Sequence, residues 1–363
     1  MAFICTLKYH FNPKRTFKFV FSKLNIKSWL TSTIEIIRIG FPGASMGIFD
    51  VILVYIMNLI LGGLLGNLGL DIYNVCVNAL LIISILIIGF AETLSSIVPI
   101  YYSQNDFYNL NHIVRRSIIA AMICSILFTV FLWIYPDGLL IFYKLSEGHH
   151  NALIENAIRL YSLSFIPIAL SNILIFYYEG IERTVESGII SVISTLIGPL
   201  LFTFLLYPII GLNGIWLSFL FGITLSLIVN ALYVKYVERK ETEYSGLFYI
   251  KKDLIPKTRN YTIKNRDDEV KTEMFNHLKS LNDDKSSLES LNKIINTIFD
   301  SNNDKISIEV LLIDYDDKIS VNFKDEGTRE VLENIKKSFS EDENISISEV
   351  LGFNNIEYTI MKS

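Results

Sequence analysis

Asp50 is the only formally charged residue in the 26-residue run from Gly40 to Leu65, GFPGASMGIFDVILVYIMNLILGGLL. At about 100° per residue on a helix, Gly43, Gly47, Asp50, Val54 and Asn58 fall within roughly 80° of arc. They form a narrow stripe of small and polar residues in a run otherwise made of Ile, Leu, Val, Met, Phe and Tyr. A carboxylate turned toward lipid costs roughly 2.5–3.5 kcal/mol on insertion scales. Asp50 is therefore expected to face the protein interior, where a bound proton or Na⁺ would bias one of two helix arrangements. The plainer reading is a buried carboxylate bonded to a neighbouring helix. Asn58 shares the stripe and is a second candidate for cation coupling. Glu92, with Ser95, Ser96 and Pro99 on one face, is a third; it reads either as a cavity wall near one mouth of the bundle or as a carboxylate at headgroup level.

Other chemistry is harder to find. No Ser/His/Asp set, Walker loop or metal-ligand spacing is present, and no enzymatic activity is expected. His149 and His150 form a lone pair with Glu147 two residues before, a spacing that is rarely a metal site. Cys5, Cys76 and Cys124 are far apart and make no CxxC, so neither a disulfide framework nor a zinc site is expected. Arg159 has Glu155 one turn earlier, as in an i, i+4 ion pair. Tyr101-Tyr102 and Tyr177-Tyr178 sit at the ends of apolar runs, where interfacial anchoring accounts for them.

A membrane bundle must position these residues. The chain has 363 residues with a mean hydropathy of +0.40, but that average hides a boundary. Residues 1–240 carry a net charge of +3 and the remaining 123 a net of −8, the signature of a membrane domain followed by an acidic soluble one. A helix rises about 1.5 Å per residue and must cross roughly 30 Å. Six runs suffice: approximately 40–65, 73–101, 114–136, 154–181, 186–208 and 210–236. Pro42 is expected in the first turn of the first helix. Residues 1–39 read as a basic cytoplasmic segment; their apolar start is too short for a signal peptide. Basic residues concentrate in that segment, in the second loop (Arg115, Arg116) and after the sixth helix. By the positive-inside rule both termini are cytoplasmic and the chain is a multi-pass plasma-membrane protein.

After a linker at 241–258, residues 259–363 read as a small α+β domain. YTIKN is a strand, and DDEVKTEMFNHLKSL and DKSSLESLNKIINTIF are helices, the second with Leu288, Leu291, Ile294, Ile295 and Ile298 at helical spacing. KISIEVLLIDYDDKISVNFKD is a hairpin, TREVLENIKKSF a helix and IEYTIM a closing strand. The expected fold class is thus an all-α bundle of six transmembrane helices followed by a small cytoplasmic α+β domain.

Three stretches carry a family resemblance: IGFPGASMGIFD, GFAETLSSIVPIYYSQNDFYNLNHIVRRS and YYEGIERTVESGIISVIS. In order and spacing they resemble the second six-helix lobe of the multidrug and toxic compound extrusion (MATE) transporters, over nearly all of residues 1–240. The resemblance implies twelve helices in two lobes around a cavity, exporting small organic or drug-like molecules against entry of Na⁺ or H⁺. Asp50 stands eight residues after Pro42, where some cation-coupled members carry Glu. KYHFNPKRTFKFVF resembles the connection between lobes, so a second lobe is expected as a partner, from a homodimer or a separately encoded half, unless the chain is a truncated, non-transporting remnant. Membrane lipids and a small-molecule substrate are the other expected partners; nucleic acid is not. A membrane-anchored regulatory protein and a flippase for lipid-linked polysaccharide are the alternatives.

The C-terminal domain resembles a degenerate GHKL-type ATP-binding fold, as in histidine kinases. NKIIN supplies Asn296, the Mg²⁺-holding Asn of that fold, but Asn292 stands where it has an acid. KDEGTR keeps Asp325 and Gly327, the adenine-reading loop, with Arg329 at the second glycine position. Gly352 in VLGFNN lies near a second glycine loop. The lost acid and glycine argue against ATP and Mg²⁺ binding.

Overall fold

The computed structural model describes residues 26–138, 151–251, 258–264, 268–282, 284–302, 306–325, 327, 329–339, 344–350 and 353–362. Among the described residues, six segments are long and apolar enough to cross a membrane: Ala44–Leu65, Asn67–Ser103, Phe107–Ile134, Ala152–Gly180, Thr184–Ile210 and Leu212–Lys240. Helix α1 (Ile26–Leu65) starts well before the expected residue 40, in the segment read as a basic tail. Pro42 therefore lies inside the helix rather than in its first turn, a position that membrane helices tolerate because neighbours satisfy the freed carbonyl. The packed side of α1 also differs from expectation. Ser45, Leu53, Met57 and Leu61 are buried at multiples of four residues, whereas Gly47 and Asp50 are exposed and Val54 and Asn58 half-buried.

Gly66 turns the chain with φ of +62°, a conformation natural only to glycine, into α2 (Asn67–Ser103). Asp106 caps α3 (Phe107–Ile134) by accepting the Asn109 N–H at 3.2 Å. The fourth span is two helices, α4 (Asn151–Ser162) and α5 (Phe165–Gly180). At the break, the Ser162 and Ser164 hydroxyls donate to the Arg159 and Tyr161 carbonyls, competing with the helical ladder.

The fifth span is also discontinuous. Helix α6 (Thr184–Val192) passes through a π-helical turn (Ile193–Ile197) into α7 (Gly198–Ile210). A proline ring clashes with the carbonyl four residues earlier; the widened turn ends just before Pro199 and makes room for it. Gly211, with φ of +63°, then turns into α8 (Leu212–Lys240). At Gly198 and Gly222 the two helices touch backbone to backbone: a Cβ on Gly222 would lie 2.4 Å from the Gly198 carbonyl carbon. Such close approach is how helices pack when lipid supplies no hydrophobic drive between them.

The stretch expected as a linker contains a short antiparallel hairpin, β1 (Tyr244–Ser245) and β2 (Ile250–Lys251), and Tyr249 is part of the apolar core of the lobe. Beyond it lies a five-stranded antiparallel sheet of β3 (Thr258–Lys264), β4 (Ser307–Asp314), β5 (Lys318–Asp325), β6 (Ile345–Val350) and β7 (Phe353–Met361), in spatial order β3-β4-β5-β7-β6. Strand β6 adds to the expected set. Helices α9 (Asp268–Leu281), α10 (Lys285–Ser301) and α11 (Arg329–Ser338) complete the domain. Along β4 the pleat alternates: Ile308, Val310 and Leu312 join the core under α10 and α11, while Leu311 and Ile313 join the core of the helical lobe. From Val310 to Ile313 both faces of that strand are buried, which explains its continuous apolar run VLLI.

Candidate functional site

Asp50 does not point into the lobe's own core; it occupies the exposed side of α1. The reason is helical phase. The seam that packs on α2 and α6 runs through Leu53, Met57 and Leu61, and Asp50 lies about 60° of arc from Leu53. Two buried tyrosines, Tyr73 on α2 and Tyr161 on α4, lie inside the lobe. Both pack on Phe219 of α8, with ring centroids 6.3 Å and 4.7 Å apart. The three rings form an aromatic cluster drawn from three helices. Sequence reasoning missed this cluster; a Tyr in the middle of an apolar span was the available signal.

Asn58, two turns further along α1, is half-buried, and its Oδ1 is buried without a hydrogen-bond partner. Glu92 is exposed on α2, and the Ser95 hydroxyl donates to its backbone carbonyl at 2.8 Å. Asp50 and Asn58 therefore share one helix, whereas Glu92 stands on another with no bond to either. Inside the lobe the polar atoms are mainly small hydroxyls. Thr203 donates to Ser218 at 2.9 Å between α7 and α8, and the Asn230 amide donates to the Tyr178 hydroxyl at 3.1 Å.

Arg159 pairs with Glu155 at 3.2 Å, as its spacing implies. The expectation for the tyrosine pairs is corrected. Tyr177 and Tyr178 are fully buried, and their hydroxyls, with that of Tyr102, bond carbonyls of the 244–251 hairpin. His149, His150 and Gly352 lie outside the described residues, as does Cys5; Cys76 and Cys124 are free thiols.

In the C-terminal domain, Asp325 is buried at the end of β5, and its Oδ1 accepts the Gly327 N–H at 2.6 Å and the Asn354 amide at 3.0 Å. Its Oδ2 is buried without a partner, and burial raises its pKa against the lowering effect of these bonds. A Cβ on Gly327 would lie 2.4 Å from Asp325 and 2.5 Å from Asn302, so side chains already fill the space that a glycine loop would leave for a ligand. Asn296 is apart from this pair and accepts from the Lys271 ammonium at 3.2 Å, and Asn292, one turn earlier, is exposed. These residues do not fit a Mg²⁺–nucleotide: Asn292 and Asn296 offer no carboxylate, and the glycine cradle is filled.

Comparison with known proteins bears on the helical lobe. Residues 42–205 match the MatE family model. An outward-facing multidrug resistance MATE transporter of the MOP superfamily is similar with a TM-score of 0.56 and 16% identity, over 66% of this chain and 53% of that one. A MOP superfamily transporter from Pyrococcus furiosus, described as having a binding pocket of reversed polarity, is similar with a TM-score of 0.54 and 18% identity, over 65% and 54%. A MATE protein solved with MaL6 is similar with a TM-score of 0.52 and 16% identity, over 57% and 47%. At these identities the likeness establishes the fold alone. The chain spans about half the length of the solved transporters it matches. No curated protein matches it.

Proposed function

We propose that this chain is one lobe of a two-lobed membrane exporter of small organic molecules, driven by entry of Na⁺ or H⁺. The observation that carries this reading is the position of Asp50: a carboxylate on the exposed side of a membrane helix, away from the buried Leu53–Met57–Leu61 seam. Lipid is a costly neighbour for it. A facing lobe would supply a polar cavity, and in transporters built from repeats the sites form between the repeats. Proton or Na⁺ binding at Asp50, with Asn58 on the same helix, would favour one of two lobe arrangements by its differential affinity for them. The second lobe comes from another copy of this chain or from a separately encoded half, and both termini face the cytoplasm of the plasma membrane. The degenerate C-terminal site neither binds nor turns over ATP.

The test is dye efflux from proteoliposomes under imposed Na⁺ and pH gradients, with Asp50→Asn in parallel. Gradient-driven efflux that falls at least about tenfold in the variant, the effect of some 1.4 kcal/mol of lost coupling, supports the reading; equal leakage from both overturns it. A protein that runs as a monomer in mild detergent, with no partner co-purifying, overturns the two-lobe requirement. The packing of β4 onto the helical lobe, which buries Leu311 and Ile313 against it, counts against a second reading in which the helices merely anchor an independent regulatory domain.

A further inference from the structure

Two turns on the domain side of the bundle are built alike. After α2, Asp106 N–H bonds the Tyr101 carbonyl at 2.9 Å and Asn105 N–H bonds that of Tyr102 at 3.1 Å. After α5, Arg183 N–H bonds the Tyr178 carbonyl at 2.8 Å and Glu182 N–H bonds that of Glu179 at 3.1 Å. Each turn places a non-glycine residue at positive φ, Asn105 at 55° and Glu182 at 61°. Each then presents a charged residue at the start of the next helix, with near-identical backbone: Asp106 at φ −81°, ψ 66° and Arg183 at φ −86°, ψ 68°.

The two charges are opposite, and the C-terminal half of the chain answers both. Lys324 of β5 pairs with Asp106 at 2.5 Å, with the carboxylate fully buried and the ammonium also 4.6 Å from the Tyr101 ring centroid. Glu241 pairs with Arg183 at 2.5 Å; the hydrogen bond to Arg183 is the largest cause holding Glu241 below its ordinary pKa. Between these anchors runs the hairpin. The Tyr178, Tyr177 and Tyr102 hydroxyls donate to the carbonyls of Leu247, Phe248 and Tyr249 at 2.9, 2.8 and 2.9 Å. Tyr249 is buried, its hydroxyl donates to Glu186 at 2.5 Å, and the Arg183 guanidinium lies 4.2 Å above its ring.

Tyr249 also has φ of +47°, a conformation that costs a bulky residue free energy and persists only where neighbours over-determine it. Among the described residues, the non-glycine positive-φ residues are Asn105, Glu182 and Tyr249, and all three lie at this junction. Backbone strain of this kind gathers where a fold holds a switchable contact.

We infer that the 241–251 segment and Lys324 form a two-point clamp, seated in the paired turns, that locks the domain-side ends of α2–α3 and α5–α6 to one another. The ends of these helices cannot separate while both charges are engaged. Release at one turn loosens the other, because the hairpin and β5 belong to one covalently continuous body and each anchor raises the effective concentration of the other. The inference concerns the mechanics of the lobe and does not depend on what the lobe transports.

Hydrogen exchange read by mass spectrometry on the full chain in detergent micelles or nanodiscs tests it. Lys324→Met leaves Asp106 buried and unpaired, and is expected to raise exchange about tenfold or more at 101–109 and also at the distant 177–186 and 244–251. Exchange at 288–299, in the core of the C-terminal domain, is expected to stay unchanged. Tyr249→Phe, which removes a single hydroxyl, is expected to raise exchange at the same segments by a smaller factor. Acceleration confined to 101–109 makes the turns independent and overturns the clamp. A rise that includes 288–299 assigns Lys324 to the folding of its own domain and overturns it equally.

Discussion

Both the helical lobe and the sheet domain bury apolar side chains, but they leave different things outside. In the sheet domain, large apolar side chains are inside: Phe323, Ile295 and Val310 are fully buried, and among its described residues Met361 is the one strongly exposed large hydrophobic. In the lobe, Ile85, Ile134 and Ile209 are more than 70% exposed, while Ser125, Ser187, Ser218, Ser226 and Asn230 are fully buried. One chain thus follows two rules set by two solvents. Where water surrounds the fold, burying apolar surface drives it. Where hydrocarbon surrounds it, close backbone packing and hydroxyl bonds hold the helices together.

The largest expected effect sharpens this contrast directly. Phe323→Ala should destabilise the sheet domain by about 3–5 kcal/mol, read as a shift of its denaturant midpoint. Ile85→Ala on the outer side of α2 should leave the lobe's melting temperature in detergent nearly unchanged. A comparable loss from both would break the two-solvent distinction. Gly222→Leu comes next, because no Cβ fits against Gly198 without moving backbone. Overpacking of this kind costs about 1–3 kcal/mol or more, and loss of the monodisperse peak in size-exclusion chromatography is the readout. A tolerated leucine would mean that α7 and α8 do not rely on that contact. Thr203→Val, which removes the bond to Ser218, should cost about 0.5–1.5 kcal/mol in thermal melts of the solubilised protein. The smallest effect is pH-dependent. Asp325 has a folded pKa above its ordinary value, so the folded form binds more protons than the unfolded one between the two values. The domain should lose stability as pH rises through that window, and Asp325→Asn should flatten this slope in denaturant titrations at several pH values. A stability that rises with pH in the wild-type protein over the same window would contradict the burial assigned to Asp325.

Much of the fold was legible because it rests on local pattern. The six spans follow from apolar run length, and α10 from Leu288, Leu291, Ile294, Ile295 and Ile298 at helical spacing. The start of α1 was not legible, because residues 26–39 mix charge with apolar residues and lack the uniform hydropathy that marks a span. Strand β6, ISISEV, lies at the sheet edge with Ile345 and Ile347 only half-buried and Ser348-Glu349 breaking its alternation, so it carries little of the apolar signal that marks the other strands. The side of Asp50 was lost for a different reason. A stripe of small and polar residues marks a non-lipid side, but does not say whether this lobe or another surface faces it. The tyrosine pairs needed tertiary information altogether: their partners are backbone carbonyls about 70 to 147 positions away, which no spacing rule anticipates.

The π-helical turn at Ile193–Ile197 has a bearing on the whole fifth span. Ser187, Ser191, Thr195, Pro199 and Thr203 are all buried, at strict intervals of four. In an unbroken helix a series of that length would wind roughly 160° around the cylinder, carrying its later members out to the lipid. One surplus residue in the ladder gives back roughly 100° of that drift. The span can therefore keep a file of hydroxyls and a proline on one inward meridian for its whole length. Excising a single residue between 193 and 197 should turn the bulge into plain α-helix and leave Thr203 inward and Phe204 outward, whereas excising one between 199 and 202 should rotate the rest of the helix by roughly 100° and carry Thr203 toward hydrocarbon.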